Sequence, residues 1–256
     1  MRADLFLSVT GKVKSREAAK KLIEAGGVTV DGKTVTKPSE EIDESFPHEV
    51  SVTLKEKFVS RGGLKLEAAL ESFGIDVTGF TALDIGASTG GFTDCLLSRG
   101  ASFVTAVDSG KGQLDPSLIS DKRVRNIEKY NARELSADIL PGCVDIVVMD
   151  VSFISQTLII PSVVSVMKPD GYFVSLIKPQ FEAGRAAVGK GGIVKSAEAR
   201  LAAVTRVISS ASEVGLLCTG LIVSPITGGD GNKEYLSCFV KNGEAVDYET
   251  IKRIVR

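Results

Sequence analysis

Two apolar runs of strand length end on a charged residue: Ile146 to Met149 runs into Asp150, and Tyr172 to Ile177 runs into Lys178. A side chain in that position emerges at the C-terminal edge of a sheet, where open α/β folds bind their ligands. A lysine there can take a proton only when its amine is neutral, a state that desolvation and a second nearby cation promote. Lys65, on a helical stretch earlier in the chain, is a candidate for that cation, and Glu234, at the start of the final apolar run, could orient the pair. Each of the four also has an ordinary reading: a solvated helix lysine, a loop-start carboxylate, a strand-end lysine with its head in water, an exposed strand residue. Spacing does not bring them together, and only convergence in space would make the ordinary readings fail jointly.

A second constellation follows the first strong strand: Asp84-Ile-Gly86-Ala-Ser88-Thr-Gly90-Gly91-Phe-Thr-Asp94. Glycines directly after a strand permit a tight turn and a close approach of backbone to ligand. The loop is not a P-loop, since no Lys-Ser or Lys-Thr follows, and it departs from GxGxxG at Ser88. The next strand ends on Asp108, whose carboxylate can accept both hydroxyls of a ribose. Asp84, Gly86, Ser88, Gly90, Gly91 and Asp108 together match the way enzymes that use S-adenosyl-L-methionine (SAM) hold its methionine half and its ribose. A purely structural βα turn and a nicotinamide dinucleotide site are the rival readings.

The elements that must position these residues alternate from Thr81 onward. Strand-length runs at Thr81 to Ile85, Phe103 to Val107, Val144 to Met149, Tyr172 to Ile177, Leu221 to Val223 and Tyr235 to Val240 are separated by amphipathic stretches at Phe92 to Leu97, Ile154 to Met167 and Ala197 to Val214. That is the pattern of a parallel sheet covered on both faces. Residues 1 to 57 read as a separate small α+β module. Ser15 caps a helix over Arg16 to Ala25 that Gly26-Gly27 stops, Asp31-Gly32 turns a hairpin between Val28 to Val30 and Thr34 to Thr36, and His48 to Leu54 supplies another strand. His48 reads as a strand residue and not a catalytic one. The stretch from Lys55 to Gly63 reads as a charged connection, with residues 58–63 as the linker proper and 64–256 as the larger domain.

Charge is balanced overall, with 31 Lys and Arg against 32 Asp and Glu, which excludes a protein that grips polyanions by bulk charge. It is uneven along the chain. Residues 1 to 37 hold eight basic side chains against four acidic ones, and Arg2, Lys12, Lys14, Arg16, Lys20 and Lys21 form a candidate phosphate-facing set, Arg16 and Lys20 sharing a helix face. An ordinary solvated helix face is the alternative. The glycine-rich stretch from Gly184 to Gly192 could close as a basic lid, with Arg185 and Lys190 as its phosphate contacts, or simply be a surface loop. Four scattered cysteines and a single histidine suggest neither a disulfide framework nor a metal site. No apolar run reaches the length of a membrane span, and the Leu5 to Val9 run is too short for a signal-peptide core, so the cytoplasm is the expected compartment.

Five segments carry a resemblance: Ser60-Arg-Gly-Gly-Leu-Lys-Leu66, Asp84 to Asp94, Asp150-Val-Ser-Phe153, Ile177-Lys-Pro-Gln-Phe-Glu182 and Gly231-Asn-Lys-Glu234. In this order they resemble the TlyA family of rRNA methyltransferases, also called hemolysins, along the whole chain. The resemblance implies an S4 RNA-binding domain followed by a Rossmann-like, SAM-dependent methyltransferase domain similar to the FtsJ/RrmJ ribose 2′-O-methyltransferases. It also implies a Lys-Asp-Lys-Glu tetrad at Lys65, Asp150, Lys178 and Glu234, SAM as cofactor, and ribosomal RNA or ribosomal subunits as partner, with no membrane and no obligate protein partner. The methylated group would be a cytidine ribose. The few residues ahead of the first apolar run favour the large subunit, with the small subunit left open. On this expectation Lys178 acts as general base on the ribose hydroxyl, Asp150 and Lys65 set its orientation and basicity, and Glu234 holds the lysine or the ribose. A non-catalytic RNA-binding or ribosome-assembly protein, and a membrane-active hemolysin, are the competing classes.

Overall fold

A computed structural model of the 256-residue chain describes residues 1–24, 26–52, 57–228 and 231–256. The chain divides into two units, Met1–Lys57 and Phe58–Arg256.

In the smaller unit, α1 (Ala3–Val9) and α2 (Arg16–Glu24) pack on a three-stranded antiparallel sheet of β1 (Val28–Val30), β2 (Lys33–Thr34) and β3 (Val50–Val52), ordered β2-β1-β3. The Leu5 to Val9 run is thus most of a helix, and its Phe6 and Leu7 join Ala19, Ile23, Val28 and Val30 in one core. Ser15 Oγ accepts the amide of Ala18, which caps α2 as its sequence predicts; Ala25, the expected last residue of that helix, lies outside the described residues. Asp31 and Gly32 take positive φ angles of 51° and 75°, the conformation of a two-residue hairpin turn. The second hairpin strand is Lys33–Thr34, shorter and earlier than Thr34 to Thr36. His48 precedes β3; its ring bonds to Asp31 and to the Asp43 carbonyl. The last two residues of the expected His48 to Leu54 strand, and Lys55, lie outside the described residues.

The larger unit opens with α3 (Gly62–Phe73) and continues with β4 (Thr81–Ile85), α4 (Gly91–Ser98), β5 (Phe103–Val107), α5 (Pro116–Ile119), β6 (Val124–Ile127), β7 (Val144–Met149), α6 (Ile160–Val166), β8 (Met167–Ile177), α7 (Pro179–Glu182), α8 (Ala197–Glu213), β9 (Leu217–Val223), β10 (Tyr235–Val240) and α9 (Tyr248–Val255). Seven strands form one sheet in the order β6-β5-β4-β7-β8-β10-β9. α3, α4 and α5 close one face with Leu66, Leu70, Leu96 and Leu118, while α6, α8 and α9 close the other with Val163, Val204, Val207 and Ile251. The sheet is mixed, which corrects the expectation of a parallel one: β10 is antiparallel to both β8 and β9. Hydrophobic runs buried on both faces read alike in either direction, so direction was not legible in them. β6 is a strand the pattern did not reveal, because Arg125 and Asn126 interrupt its apolar character at the sheet edge. The single helix expected over Ile154 to Met167 is broken into a 3₁₀ turn at Gln156–Leu158 and α6, with Pro161 opening the new helix and Met167 already in β8. Residues 58–63, expected as a linker, belong to the larger unit: Phe58 is buried, and Gly62 and Gly63 start α3.

Candidate active site

The strand ends converge. β7 and β8 are parallel neighbours, so Asp150 and Lys178 leave the same sheet edge side by side. β10 enters the sheet at that edge because it runs the opposite way, with Tyr235 opposite Ile177. In a fully parallel sheet a residue preceding a strand would lie at the far edge; the reversal of β10 is what returns Glu234 to the site.

Two ion pairs result. Lys178 Nζ stands 2.5 Å from Asp150 Oδ1 and donates to Ser152 Oγ at 2.8 Å. Lys65 Nζ, carried in by α3, donates to Glu234 Oε2 at 2.6 Å. Lys65 and Glu234 are buried at 9% and 2% exposure, against the reading of either as a solvated residue. Glu234, expected to orient the lysine pair or the ribose, holds Lys65; Lys178 is held by Asp150 and by Ser152, to which the sequence had assigned no role. A cavity of about 290 Å³ is lined by Lys65, Asp150, Ser152 and Lys178, by Gly86, Ser88 and Gly91 of the glycine loop, and by Ser60 and Arg61 from the segment read as a linker.

The glycine loop is shaped for close backbone approach. Gly86 has φ +81°, and a Cβ on it would lie 2.5 Å from the Asp150 carbonyl oxygen. At Gly91 a Cβ would collide with Ser60 Oγ, and Gly90, also at positive φ, caps α4. Asp108 braces the loop from below: Oδ2 accepts the Ser88 amide at 2.8 Å and Oδ1 accepts the Gly110 amide at 2.7 Å. It does not line the cavity wall itself. Asp84 is fully buried behind the loop, with Oδ2 accepting from Thr93 Oγ1 at 2.7 Å and Oδ1 without a hydrogen-bond partner among the described residues. Burial pushes its carboxyl up to about 7, and the neighbouring Asp150 and Asp108 charges add to the rise.

Other expected residues lie elsewhere. In the smaller unit Arg2 and Arg16 both bond the buried carboxylate of Asp4, at 3.0 Å each, and hold it well below the usual carboxylate range. That structural duty was not legible in the phosphate-facing set. Lys20 pairs loosely with Glu17 on its own helix, while Lys12, Lys14 and Lys21 are exposed with no ion-pair partner among the described residues. Arg185 and Lys190 are exposed, and the segment that carries them is tied at its base, where Asn232 donates to the Gly192 carbonyl and accepts from the Val194 amide. Phe153, three residues after Asp150, is 91% exposed at φ +64° and leans on Phe181.

The profile of FtsJ-like methyltransferases matches residues 58–241, and that of S4 domains matches residues 1–45. The chain belongs to the FtsJ-like methyltransferase family. A Mycobacterium tuberculosis relative named 16S/23S rRNA (cytidine-2′-O)-methyltransferase TlyA is 44% identical over 91% of this chain and 87% of its own. Hemolysin A of Brachyspira hyodysenteriae is 42% identical over 94% of this chain and all of its own. A solved Streptococcus thermophilus structure, a hemolysin by name, superposes with a TM-score of 0.76 at 40% identity, covering all of this chain and 94% of that one. Among the described residues no helix is long and apolar enough to cross a membrane. The glycine loop of the FtsJ-like domain fits SAM on two features of its own: its Gly86, Ser88 and Gly91 line the cavity, and a buried carboxylate oxygen of Asp84 behind it has no hydrogen-bond partner among the described residues.

Proposed function

We propose that this protein transfers a methyl group from SAM to the 2′-hydroxyl of a cytidine in ribosomal RNA. The observation that carries the reading is the pair of ion pairs, Lys178–Asp150 and Lys65–Glu234, at one cavity with the glycine loop. Three charged groups from separate strand and helix ends, Lys65, Asp150 and Lys178, would not converge on one cavity, with a fourth, Glu234, buried behind Lys65, as solvated surface residues.

Gly86, Ser88, Gly90 and Gly91 would hold the cofactor, with Asp84 behind the loop and Asp108 offering its remaining lone pairs to ribose hydroxyls. SAM supplies, when bound, a methyl group made electrophilic by its sulfonium. The chain's own residues do the rest. Lys178 would take the proton of the 2′-hydroxyl, and Asp150 and Ser152 would hold the ammonium so formed in the contacts described above. Lys65, held from behind by Glu234, lines the same cavity and would fix the ribose by charge and hydrogen bonding, so that much of the rate comes from placement. Phe153 offers an exposed aromatic face on which an unstacked base can lie. Lys12, Lys14, Lys20, Lys21, Arg185 and Lys190, together with the outer faces of Arg2 and Arg16, supply phosphate contacts, which position the RNA without reading its sequence. Work on ribosomal subunits puts the protein in the cytoplasm.

The test is incubation of the purified protein with isolated large and small ribosomal subunits and SAM, followed by mass-spectrometric mapping of ribose methylation. A new 2′-O-methylcytidine in either subunit is the expected result. SAM and RNA binding without any transfer would instead make the protein a non-catalytic RNA-binding factor.

A further inference from the structure

Glu182 ends α7, four residues after Lys178, and is 3% exposed. Its carboxylate has no ion-pair partner among the described residues. Oε2 accepts from Ser155 Oγ at 2.6 Å and Oε1 from the Gln156 amide at 2.8 Å. Burial raises its pKa above the ordinary range, opposed by those two bonds and by the charge of Arg206. Taking a carboxylate out of water is unfavourable, and the nearby Arg206 guanidinium bonds the Glu182 backbone carbonyl at 3.3 Å and not the carboxylate; an apolar side chain would fill the same space more cheaply. A group retained at such a position calls for a reason beyond packing.

The bonds extend. Gln156 is itself 2% exposed; its Nε2 donates to the Leu176 carbonyl at 2.5 Å and its Oε1 accepts from Ser175 Oγ at 2.6 Å. The Ser175 carbonyl in turn accepts from Ser237 Oγ at 3.1 Å. The chain of bonds therefore ties three segments: the one after β7 that carries Asp150 and Ser152, the end of β8 with α7 that carries Lys178, and β10, which begins beside Glu234. β8 and β10 are held in register by their own pairing, whereas the segment after β7 lies outside the sheet and is fixed to it through Glu182 and Gln156.

We infer that Glu182 is a positioning residue for methyl transfer, its buried carboxylate anchoring the segment after β7 so that Asp150 and Ser152 stand against Lys178. The inference rests on the reading of Lys178 as the group that works on the ribose hydroxyl. Glu182 touches neither cofactor nor RNA; it acts through Ser155 and Gln156. Loss of the carboxylate frees the segment from its anchor, and a misplacement of about 1 Å at a reacting centre lowers turnover by roughly a hundredfold.

The experiment compares Glu182→Ala, Glu182→Gln, Ser155→Ala and Lys178→Ala in the full chain, measuring melting temperature, SAM affinity by calorimetry, and kcat and KM on ribosomal subunits from pH 6 to 9. Glu182→Ala should lower kcat at least about tenfold while SAM affinity and the KM for RNA stay within about threefold, the split expected when an interaction matters only in the transition state. The loss should persist well below the melting temperature, and the pH at which activity rises should move, because the partners of Lys178 are no longer held. Glu182→Gln retains an acceptor for the Gln156 amide and should recover most of the turnover. Ser155→Ala removes the bond to Glu182 together with the cap that Ser155 Oγ makes to Thr157, and keeps the inference testable should Glu182→Ala not fold; it should lower kcat at least about threefold to fivefold, the magnitude of one hydrogen bond of about 1 kcal/mol. Wild-type kcat in a folded Glu182→Ala or in Ser155→Ala, or a loss that merely follows the melting temperature, overturns the inference. If Lys178→Ala keeps its turnover, the reading beneath it fails instead, a result distinct from either.

Discussion

Asp84→Asn separates the stability of the fold from the needs of its cofactor loop. Asp84 is fully buried, and its carboxyl titrates near 7 in place of about 3.8. The native state therefore retains a proton that the unfolded chain has already released, so stability is fullest below about pH 3.8 and falls as pH rises toward 7. At about 1.4 kcal/mol per pH unit, the whole interval is worth about 4 kcal/mol, and the part between pH 5 and 7 about 2 to 3 kcal/mol. Asparagine carries no such dependence, and it keeps an acceptor for the Thr93 hydroxyl. Urea unfolding at pH 5 and pH 8, followed by circular dichroism because the chain contains no Trp, should show the variant gaining on the wild type by about 2 to 3 kcal/mol between the two pH values in the transition of the larger unit. SAM affinity should move the other way: a cationic ligand near the loop favours ionised Asp84, so the wild type binds more tightly as pH rises through 7, and the variant loses that rise. A stability difference that stays level from pH 5 to pH 8 would refute the argument, and with it the claim that Asp84 is kept in the loop at the expense of the fold.

Lys178→Ala should abolish methylation with fold and SAM binding nearly unchanged; Lys178→Arg should fail as well, since a guanidinium stays protonated at any working pH, and near-normal turnover in that variant would leave Lys178 only a positioning role. Asp108→Ala removes the acceptor for the Ser88 and Gly110 amides as well as for the ribose, so calorimetry should record a loss in SAM affinity of about 1.5 to 3 kcal/mol; undiminished affinity would sink that assignment. Removing residues 1 to 57 should leave SAM binding largely intact and flatten the salt dependence of RNA binding, because fewer phosphates are then neutralised by lysine and arginine and fewer counterions are released. An unchanged salt slope would mean that the RNA is gripped by the larger unit.

Much of this protein was determined by local sequence. Short apolar runs bounded by turn residues suit strands buried on both faces, and four of the six expected in the larger unit, β4, β5, β7 and β10, stand with the expected bounds. Asp31-Gly32 turns the hairpin because those two residues tolerate positive φ, and the glycines directly after β4 mark the tight turn of a ligand loop for the same reason. What required the tertiary structure was everything set by direction and by partnership. The reversal of β10 leaves no trace in a run such as Tyr235 to Val240, yet it alone returns Glu234 to the edge where Lys178 emerges. The choice of partners follows from which elements come side by side: β7 beside β8 sets Lys178 against Asp150 and Ser152, and α3 carries Lys65 to Glu234, neither of which a strand or helix pattern encodes. That Arg2 and Arg16 also hold the buried Asp4, and that Glu182 is buried against Ser155 and Gln156, needed the structure too, because a charge's partners and its distance from water are properties of the folded chain.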